Sequence, residues 1–132
     1  MLLFIKEVFF INNLLIDFYL KNNEENITKK NINAKLKHNQ LTFEIENDKY
    51  VVERGKNISL KKENSDSLLE FNFIDNKCVE GKYYIKELDF YMDAKVKTNK
   101  LINKDNKLEI NYELYLQDEY IGKFELIITV KE

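Results

Sequence analysis

The chain has 132 residues, with 21 lysine and arginine residues against 23 aspartate and glutamate residues, a net charge of −2 at pH 7. This length is typical of one domain with its own core, so we expect residues 1–132 to form a single domain. The balance of charge argues against a nucleic-acid-binding protein, since such proteins present a net basic surface. A single cysteine, Cys78, excludes an intramolecular disulfide and a thiolate metal cluster.

Few residues offer catalytic or metal-binding chemistry. His38 is the single histidine and has no Ser, Cys or second His in a known catalytic arrangement. The three glycines are scattered and form no phosphate-binding loop. Two acid pairs, Glu44 with Glu46 and Glu109 with Glu113, have no neighbour that would tune a catalytic pKa, so we expect solvated carboxylates. We predict no enzyme, no cofactor and no metal.

The N-terminal stretch predicts two strands, Leu2 to Ile11 and Leu14 to Leu20, with a turn at Asn12-Asn13. Polar residues interrupt it too often for a transmembrane span, and the features of a signal peptide are missing. These residues are Lys6, Glu7, Asn12, Asn13 and Asp17. We therefore expect a cytoplasmic protein without membrane contact. The polar run Lys21–Lys30 predicts an exposed loop or one short helical turn.

From Ile32 onward, apolar and polar residues alternate with a period of two, which is typical of strands with one buried face. The predicted strands are 32–37, 41–46, 50–53, 58–61, 68–74, 78–85 and 88–98. Turns are predicted at His38-Asn39 and Asn47-Asp48, and Gly55 is expected to adopt a backbone angle that other residues resist. Residues 99–106 are predicted to be a loop.

Residues 107–131 show the clearest alternation, with the apolar even-numbered residues on one face of a predicted hairpin. A two-residue turn at Asp118-Glu119 would put the two apolar sets on opposite faces. We therefore predict a three-residue loop, 118–120, or a β-bulge. The predicted cross-strand pairs are Leu114 with Phe124, Ile110 with Ile128, and Glu113 with Glu125.

These elements predict an all-β fold, because short connections join nearly all the strands and no segment after residue 30 has a helical period. An antiparallel meander must curl to bury its apolar face, and closure also removes exposed strand edges. We predict a single antiparallel up-and-down barrel of about eight to eleven strands with at most one short helix.

Five segments carry a resemblance to known proteins. They are 58–62 (ISLKK), 69–71 (LEF), 80–84 (EGKYY), 96–98 (VKT) and 108–114 (LEINYEL). Through these segments the sequence resembles the YwiB-like family, short bacterial proteins of unknown function. The resemblance implies a calycin-like, lipocalin-type barrel. It covers residues 58–132, whereas the N-terminal half fits in strand count and spacing only, and it brings no known catalytic or binding residues.

The interior of such a barrel is either filled by side chains or holds a small ligand. The predicted ligand-binding residues are Phe90, Tyr112, Leu114, Phe124 and Leu126, and the other inward candidates are Phe43, Phe71, Phe73, Met92 and Ile128. An inward Tyr112 would need a partner for its hydroxyl group. We expect a small apolar or amphipathic ligand inside the barrel, with a solidly packed core as the alternative.

The predicted outer face combines lysines with large apolar residues. The lysines are Lys95, Lys97 and Lys123, and the apolar residues are Tyr91, Tyr115, Ile121 and Ile127. We interpret the lysines as charge partners of nearby glutamates and expect no nucleic-acid partner. If the apolar residues form a contiguous patch, the outer tyrosine-bearing face predicts a homodimer or a protein partner as the alternative function.

Overall fold

In a computed structural model of the chain, which describes residues 12–131, ten antiparallel strands form a closed barrel. The strands are β1 (Asn12–Lys21), β2 (Asn26–Lys37), β3 (Gln40–Ile45), β4 (Asp48–Arg54), β5 (Ile58–Glu63), β6 (Ser67–Phe73), β7 (Cys78–Ile85), β8 (Phe90–Lys104), β9 (Lys107–Leu116) and β10 (Glu119–Lys131). Each strand pairs with its neighbours in sequence, and β1 pairs with β10. No helix occurs in residues 12–131. The predicted all-β, up-and-down barrel is confirmed, while the predicted strand Leu2–Ile11 lies outside the described residues.

Alternation along the strands places one continuous apolar core inside the barrel. In β9 the even-numbered residues from Leu108 to Leu114 are all buried. The largest side chains with the least exposure include Phe18, Phe71 and Phe73, which come from the first and the sixth strand. The core therefore joins walls that are far apart in sequence, and the closing hairpin supplies only one side of it.

The closing hairpin turns at Gln117-Asp118, where both residues have positive φ, 51° and 65°. This is the backbone geometry of tight two-residue hairpins. The turn sets Tyr120 opposite Tyr115, and a register shift at Ile121 then sets Gly122 opposite Leu114. The predicted bulge is thereby confirmed, and it brings both apolar sets to the inner face.

Individual pairs in this hairpin differ from the prediction. Phe124 lies opposite Tyr112, two residues earlier than the predicted Leu114, because the turn precedes the predicted loop. Glu113 consequently faces Lys123 and not Glu125. The expected repulsion between two glutamates is replaced by a pair of opposite charges.

Two further irregularities correct the predicted loops. The register between β1 and β2 shifts between Ile16 and Phe18, and that between β8 and β9 shifts between Thr98 and Lys100. At each shift, the residues that point inward change between even-numbered and odd-numbered positions. The alternation in the sequence is therefore lost across the shift, although the strand continues. Residues 26–30 and 99–104 therefore belong to β2 and β8, and the predicted turn Asn12-Asn13 belongs to β1.

Alternate turns gather at opposite ends of the barrel. We call the end with turns 22–25, 46–47, 64–66, 86–89 and 117–118 the mouth, and the other end the base. At the base, the guanidinium group of Arg54 donates hydrogen bonds to Asn103 Oδ1, from Nε at 2.9 Å, and to the carbonyl oxygen of Lys104. These bonds connect β4 to β8 across the barrel, which closes the base.

Two of the three glycines have conformational or steric reasons to be there. Gly122, beside the bulge, has a φ of 153°, and a Cβ atom would lie 3.2 Å from Asn23 Nδ2. A Cβ atom on Gly81 would lie 2.8 Å from the carbonyl oxygen of Glu70 and 2.9 Å from Phe71 Cδ1. Only glycine therefore allows β7 to approach β6 this closely. The expectation for Gly55 is wrong, because the positive φ belongs to Gly122.

The packed base leads to a stability prediction. Phe73 is 1% exposed and packs 5.0 Å from Tyr112, ring centre to ring centre. We expect Phe73→Ala to lower the free energy of unfolding by about 3–5 kcal/mol, since it removes a buried ring and leaves a cavity. Urea denaturation measures this change. The exposed neighbour Asn72 is the control, and Asn72→Ala should change stability by about 0.5 kcal/mol or less. A loss below about 1 kcal/mol in Phe73→Ala would contradict a filled base.

Candidate functional site

The inner face toward the mouth encloses a cavity of about 240 Å³. Most of its lining is aliphatic or aromatic and comes from seven strands, β1, β4 to β7, β9 and β10. The lining residues are Phe18, Leu20, Tyr50, Leu60, Lys62, Leu69, Phe71, Tyr83, Tyr112, Leu114, Leu116, Ile121, Phe124 and Leu126. This composition, apolar with a few polar groups, is typical of small-molecule sites.

Aromatic rings that pack against one another form part of the cavity wall. Tyr112 and Phe124 are stacked with ring centres 5.1 Å apart, and Phe43 and Tyr50 are stacked at the same separation. Phe18 contacts the second pair, at 5.2 Å from Tyr50. Since stacked and tilted rings stabilise each other beyond their burial, the lining tyrosines have fixed orientations.

Tyr50 and Tyr112 bring polar atoms to this apolar surface. Both residues are at least 95% buried, being 3% and 5% exposed. No hydrogen bond of either hydroxyl group occurs within residues 12–131, and neither oxygen is among the unpartnered side-chain atoms cut off from solvent, which are Thr98 Oγ1 and Asn111 Oδ1. Burial raises the pKa of each phenol well above its ordinary value, so both remain protonated donors at neutral pH.

Lys62 is the charged residue of the lining. It lies opposite Tyr50 in the β4–β5 pair, and its Nζ atom lies 6.0 Å from the centre of the Tyr50 ring. Asp48 also belongs to the inner face, with Oδ2 3.7 Å from Lys62 Nζ, while Asp48 Oδ1 accepts a hydrogen bond from Asn64 at 2.9 Å. An ammonium group therefore stands at the mouth of a cavity whose walls are apolar.

Four of the predicted ligand-binding residues, Tyr112, Leu114, Phe124 and Leu126, line this cavity. Phe90 does not, and its predicted position in the lining is wrong. It is 47% exposed because β8 extends past the end of β9 toward the mouth, so only β7 flanks Phe90 there. Whether the other four bind a ligand remains a prediction.

The other side chains that were predicted to point inward are divided between the cavity and the packed core. Phe71 lines the cavity, whereas Phe43, Phe73 and Ile128 belong to the packed core outside it. Met92 is half-buried on the β7–β8 hairpin. The barrel is thus filled toward its base and hollow toward its mouth.

Sequence patterns did not single out Tyr50, Lys62 or Ile121 as lining residues. Tyr50 and Lys62 belong to short strands, and a polar residue at the end of the alternation Ile58, Leu60, Lys62 is normally taken as exposed. Ile121 was expected on the outer face, and the bulge turns it toward the mouth. Strand pairing with Tyr50 is the signal that would have placed Lys62 inside.

Lysines on the outer face act as charge partners, as predicted. Lys95 Nζ lies 2.9 Å from Asp118 Oδ1, and Lys97 Nζ lies 3.9 Å from Glu113 Oε2. Lys123 faces Glu113 across the hairpin. Each of the three lysines thus has an acidic residue beside it.

The expectation of solvated carboxylates is wrong for Glu109, which is 9% exposed. Its carboxylate lies 2.7 Å from Lys100 Nζ and 3.3 Å from Lys107 Nζ, and the hydrogen bond from Lys100 lowers the pKa of Glu109. Long lysine side chains on β8 and β9 cover this carboxylate. Glu44 and Glu46 are exposed, as predicted.

Exposed apolar residues cluster on the β7–β8 hairpin. Leu88, Phe90 and Tyr91 are 69%, 47% and 62% exposed, and the rings of Tyr84 and Tyr91 lie 4.5 Å apart. Tyr115 and Ile127, also predicted on the outer face, are half-buried, and Tyr115 packs 5.3 Å from Tyr120. Tyr91 is thus the most exposed of the predicted outer tyrosines.

Residues 12–131 contain neither a metal-ligand cluster nor a helix suited to crossing a membrane. No group of three or more His, Cys, Asp or Glu residues there is arranged to hold a metal ion. None of these residues belongs to a helix of the length and hydrophobicity that crossing a membrane requires.

Comparisons with known proteins concern the fold. No protein-family model matches this sequence, and no curated protein matches it. Among solved structures, the chain is similar to the crystal structure of the ywiB protein from Bacillus subtilis, with a TM-score of 0.52. The two chains share 10% sequence identity over 92% of each. The structural similarity covers nearly the whole barrel, whereas the sequence resemblance begins at residue 58. At this identity, the structural similarity concerns the fold alone.

Burial of the two phenols predicts the behaviour of the barrel at high pH. The folded state holds these protons more tightly than the unfolded chain, where a tyrosine has a pKa of about 10. Their contribution to stability is fully present below pH 10 and is lost as the pH rises further. We expect Tyr50 and Tyr112 to ionise only as the barrel unfolds.

Tyrosinate absorbance and circular dichroism, recorded together during an alkaline titration, measure this. Tyr112→Phe should remove one of the two late ionisations and move unfolding to higher pH. If all eight tyrosines ionise in one step while the circular dichroism stays unchanged, the two phenols are not held in a dry cavity.

Proposed function

We propose that this barrel binds one small amphipathic or apolar molecule in the cavity at its mouth, and that it acts by binding and not by catalysis. The observation that supports this most is the pair of buried phenol groups, Tyr50 and Tyr112, without partners in the described residues. Both residues line the cavity, and each hydroxyl group has a hydrogen bond to donate to a molecule bound there. A bound molecule with a polar end would accept these hydrogen bonds.

The size of the cavity sets the size of the ligand. A dry cavity of about 150 Å³ accommodates a benzene molecule. At about 240 Å³, this cavity accommodates roughly ten non-hydrogen atoms on the same scale. Full-length lipids and dinucleotides exceed this volume, so the proposed ligand is a short aliphatic or single-ring molecule.

The proposal also includes the structural class of the barrel and its location in the cell. We place the barrel among the calycin-like, lipocalin-type barrels, with the closed up-and-down strand order as support. A cytoplasmic location is also proposed, where the exposed thiol of Cys78 would stay reduced.

The binding proposal predicts that 1-octanol, an amphiphile of the right size, binds with one molecule per chain. Isothermal titration calorimetry measures its affinity and stoichiometry. Leu116→Trp should abolish binding, because Leu116 lines the cavity and the larger ring would fill it. The proposal fails if octanol does not saturate the protein, or if it binds Leu116→Trp unchanged.

Leu15→Trp is the matched control. Leu15 is also a strand leucine, but it is 42% exposed and points outward. This variant should bind octanol like the unaltered protein. Because the chain contains no tryptophan, the fluorescence of each introduced ring also reports whether the variant is folded.

A second candidate function is self-association through the β7–β8 hairpin. Its support is the exposed Tyr91, whose ring packs against Tyr84 on the outer face, with the exposed Leu88 in the adjoining turn, since exposed apolar patches are typical of interaction sites. This group includes part of the outer tyrosine-bearing face predicted from the sequence. The same patch would fit a protein partner.

Light scattering over a range of concentrations tests this candidate. We expect a dimer whose dissociation constant rises by at least about tenfold in the double variant Leu88→Ser, Tyr91→Ser, which removes apolar contact area. Leu15→Ser, an exposed apolar substitution on β1, should leave the dimer unchanged. A monomer at every concentration would rule out the homodimer.

A further inference from the structure

We propose that the ligand of the cavity is a small carboxylic acid, whose carboxylate is held by the ammonium group of Lys62 and the hydroxyl groups of Tyr50 and Tyr112. This inference rests on the proposed binding function and names the chemical class of the ligand.

The polar groups of the lining are hydrogen-bond donors that lack acceptors. An ammonium group has three donors and no acceptor, and each phenol has one donor. Lys62 Nζ lies 3.7 Å from Asp48 Oδ2, which is longer than a hydrogen bond, and no other acceptor for Lys62 occurs within residues 12–131. A carboxylate accepts hydrogen bonds only, so it complements this set, and charge-assisted hydrogen bonds are the strongest available.

Acidic residues near the mouth have other partners. Asp48 accepts a hydrogen bond from Asn64, Glu46 lies 3.5 Å from Lys29 Nζ, and Glu25 is exposed to solvent. Lys62 is therefore the positive group of the lining whose hydrogen-bonding capacity is unused. A cationic ligand would place a second positive charge beside it, and an alcohol would add no negative charge to that of Asp48, 3.7 Å away.

The rest of the ligand is constrained by the apolar lining. Leu60, Leu114 and Leu126 continue the inner surface below Lys62 and the phenols. Side chains of this type favour a hydrocarbon chain or a single ring over further polar groups. A carboxylic acid of about eight carbons satisfies both the volume and this polarity.

Calorimetric titration with octanoate, 1-octanol and octylamine compares three head groups on the same chain. We expect octanoate to bind at least about tenfold more tightly than octanol, and octylamine to bind most weakly. Lys62→Met should raise the dissociation constant of octanoate at least about tenfold and leave that of octanol within about twofold. Lys61→Met is the matched control, since Lys61 is the exposed neighbour on the same strand and points outward, and it should change neither.

Tyr112→Phe tests the hydroxyl group separately from the ring. It should raise the dissociation constant of octanoate severalfold without lowering stability at pH 7, because the hydroxyl group has no partner to lose within the described residues. A purely structural hydroxyl group would show the opposite, a loss of stability with unchanged binding.

The outcomes separate this inference from the binding function. If octanol binds as tightly as octanoate, or if Lys62→Met behaves like Lys61→Met, the carboxylic-acid inference is wrong while the binding function stands. If none of the three compounds saturates the protein, the binding function itself fails. Octanoate binding that depends on Lys62 and Tyr112 supports both.

Discussion

The pairing register of each strand determines whether each side chain points into or out of the barrel, and the rest of the structure depends on that constraint. Successive residues point to opposite faces, so a shift of one residue would turn the core outward. Three register shifts, in the β1–β2, β8–β9 and β9–β10 pairs, change the phase locally while the chain stays in the sheet. They allow long strands to curve around a closed barrel without exposing the core.

The two ends of the barrel have different roles because different side chains point into them. At the base, Phe73, Ile128 and Leu108 meet other buried apolar residues, and Arg54 connects opposite walls. Toward the mouth, the inward positions pass to Lys62 on β5 and to Ile121 in the bulge, and the packing becomes incomplete. The filled base stabilises the fold, so the mouth end can retain a cavity whose polar groups are not paired with one another.

Much of the fold follows from residue order alone, because alternation in β3 to β7 and in β9 and β10 is uninterrupted by phase changes over most of its length. The errors lie where the phase changes. Ile27 is out of phase with Ile32, and Leu101 with Thr98, so each segment loses its period although it forms a strand. The site was predicted less completely. Tyr112 and Phe124 follow from parity, whereas Lys62 has the inward parity of Ile58 and Leu60 but a charge that is typical of an exposed residue, and its pairing with Tyr50 is what places it inside.

Unpaired polar groups in the lining bear on function more strongly than the cavity does. Incomplete packing alone can arise wherever large residues fail to meet, and phenylalanine or leucine would fill such a space better than a tyrosine whose hydroxyl group lacks a partner. Tyr50 and Tyr112 instead bring two hydroxyl groups to the lining of the cavity, where Lys62 lies opposite Tyr50. The proposed ligand, with an acceptor group at one end, would complement these donors from β4, β5 and β9 in an otherwise apolar wall.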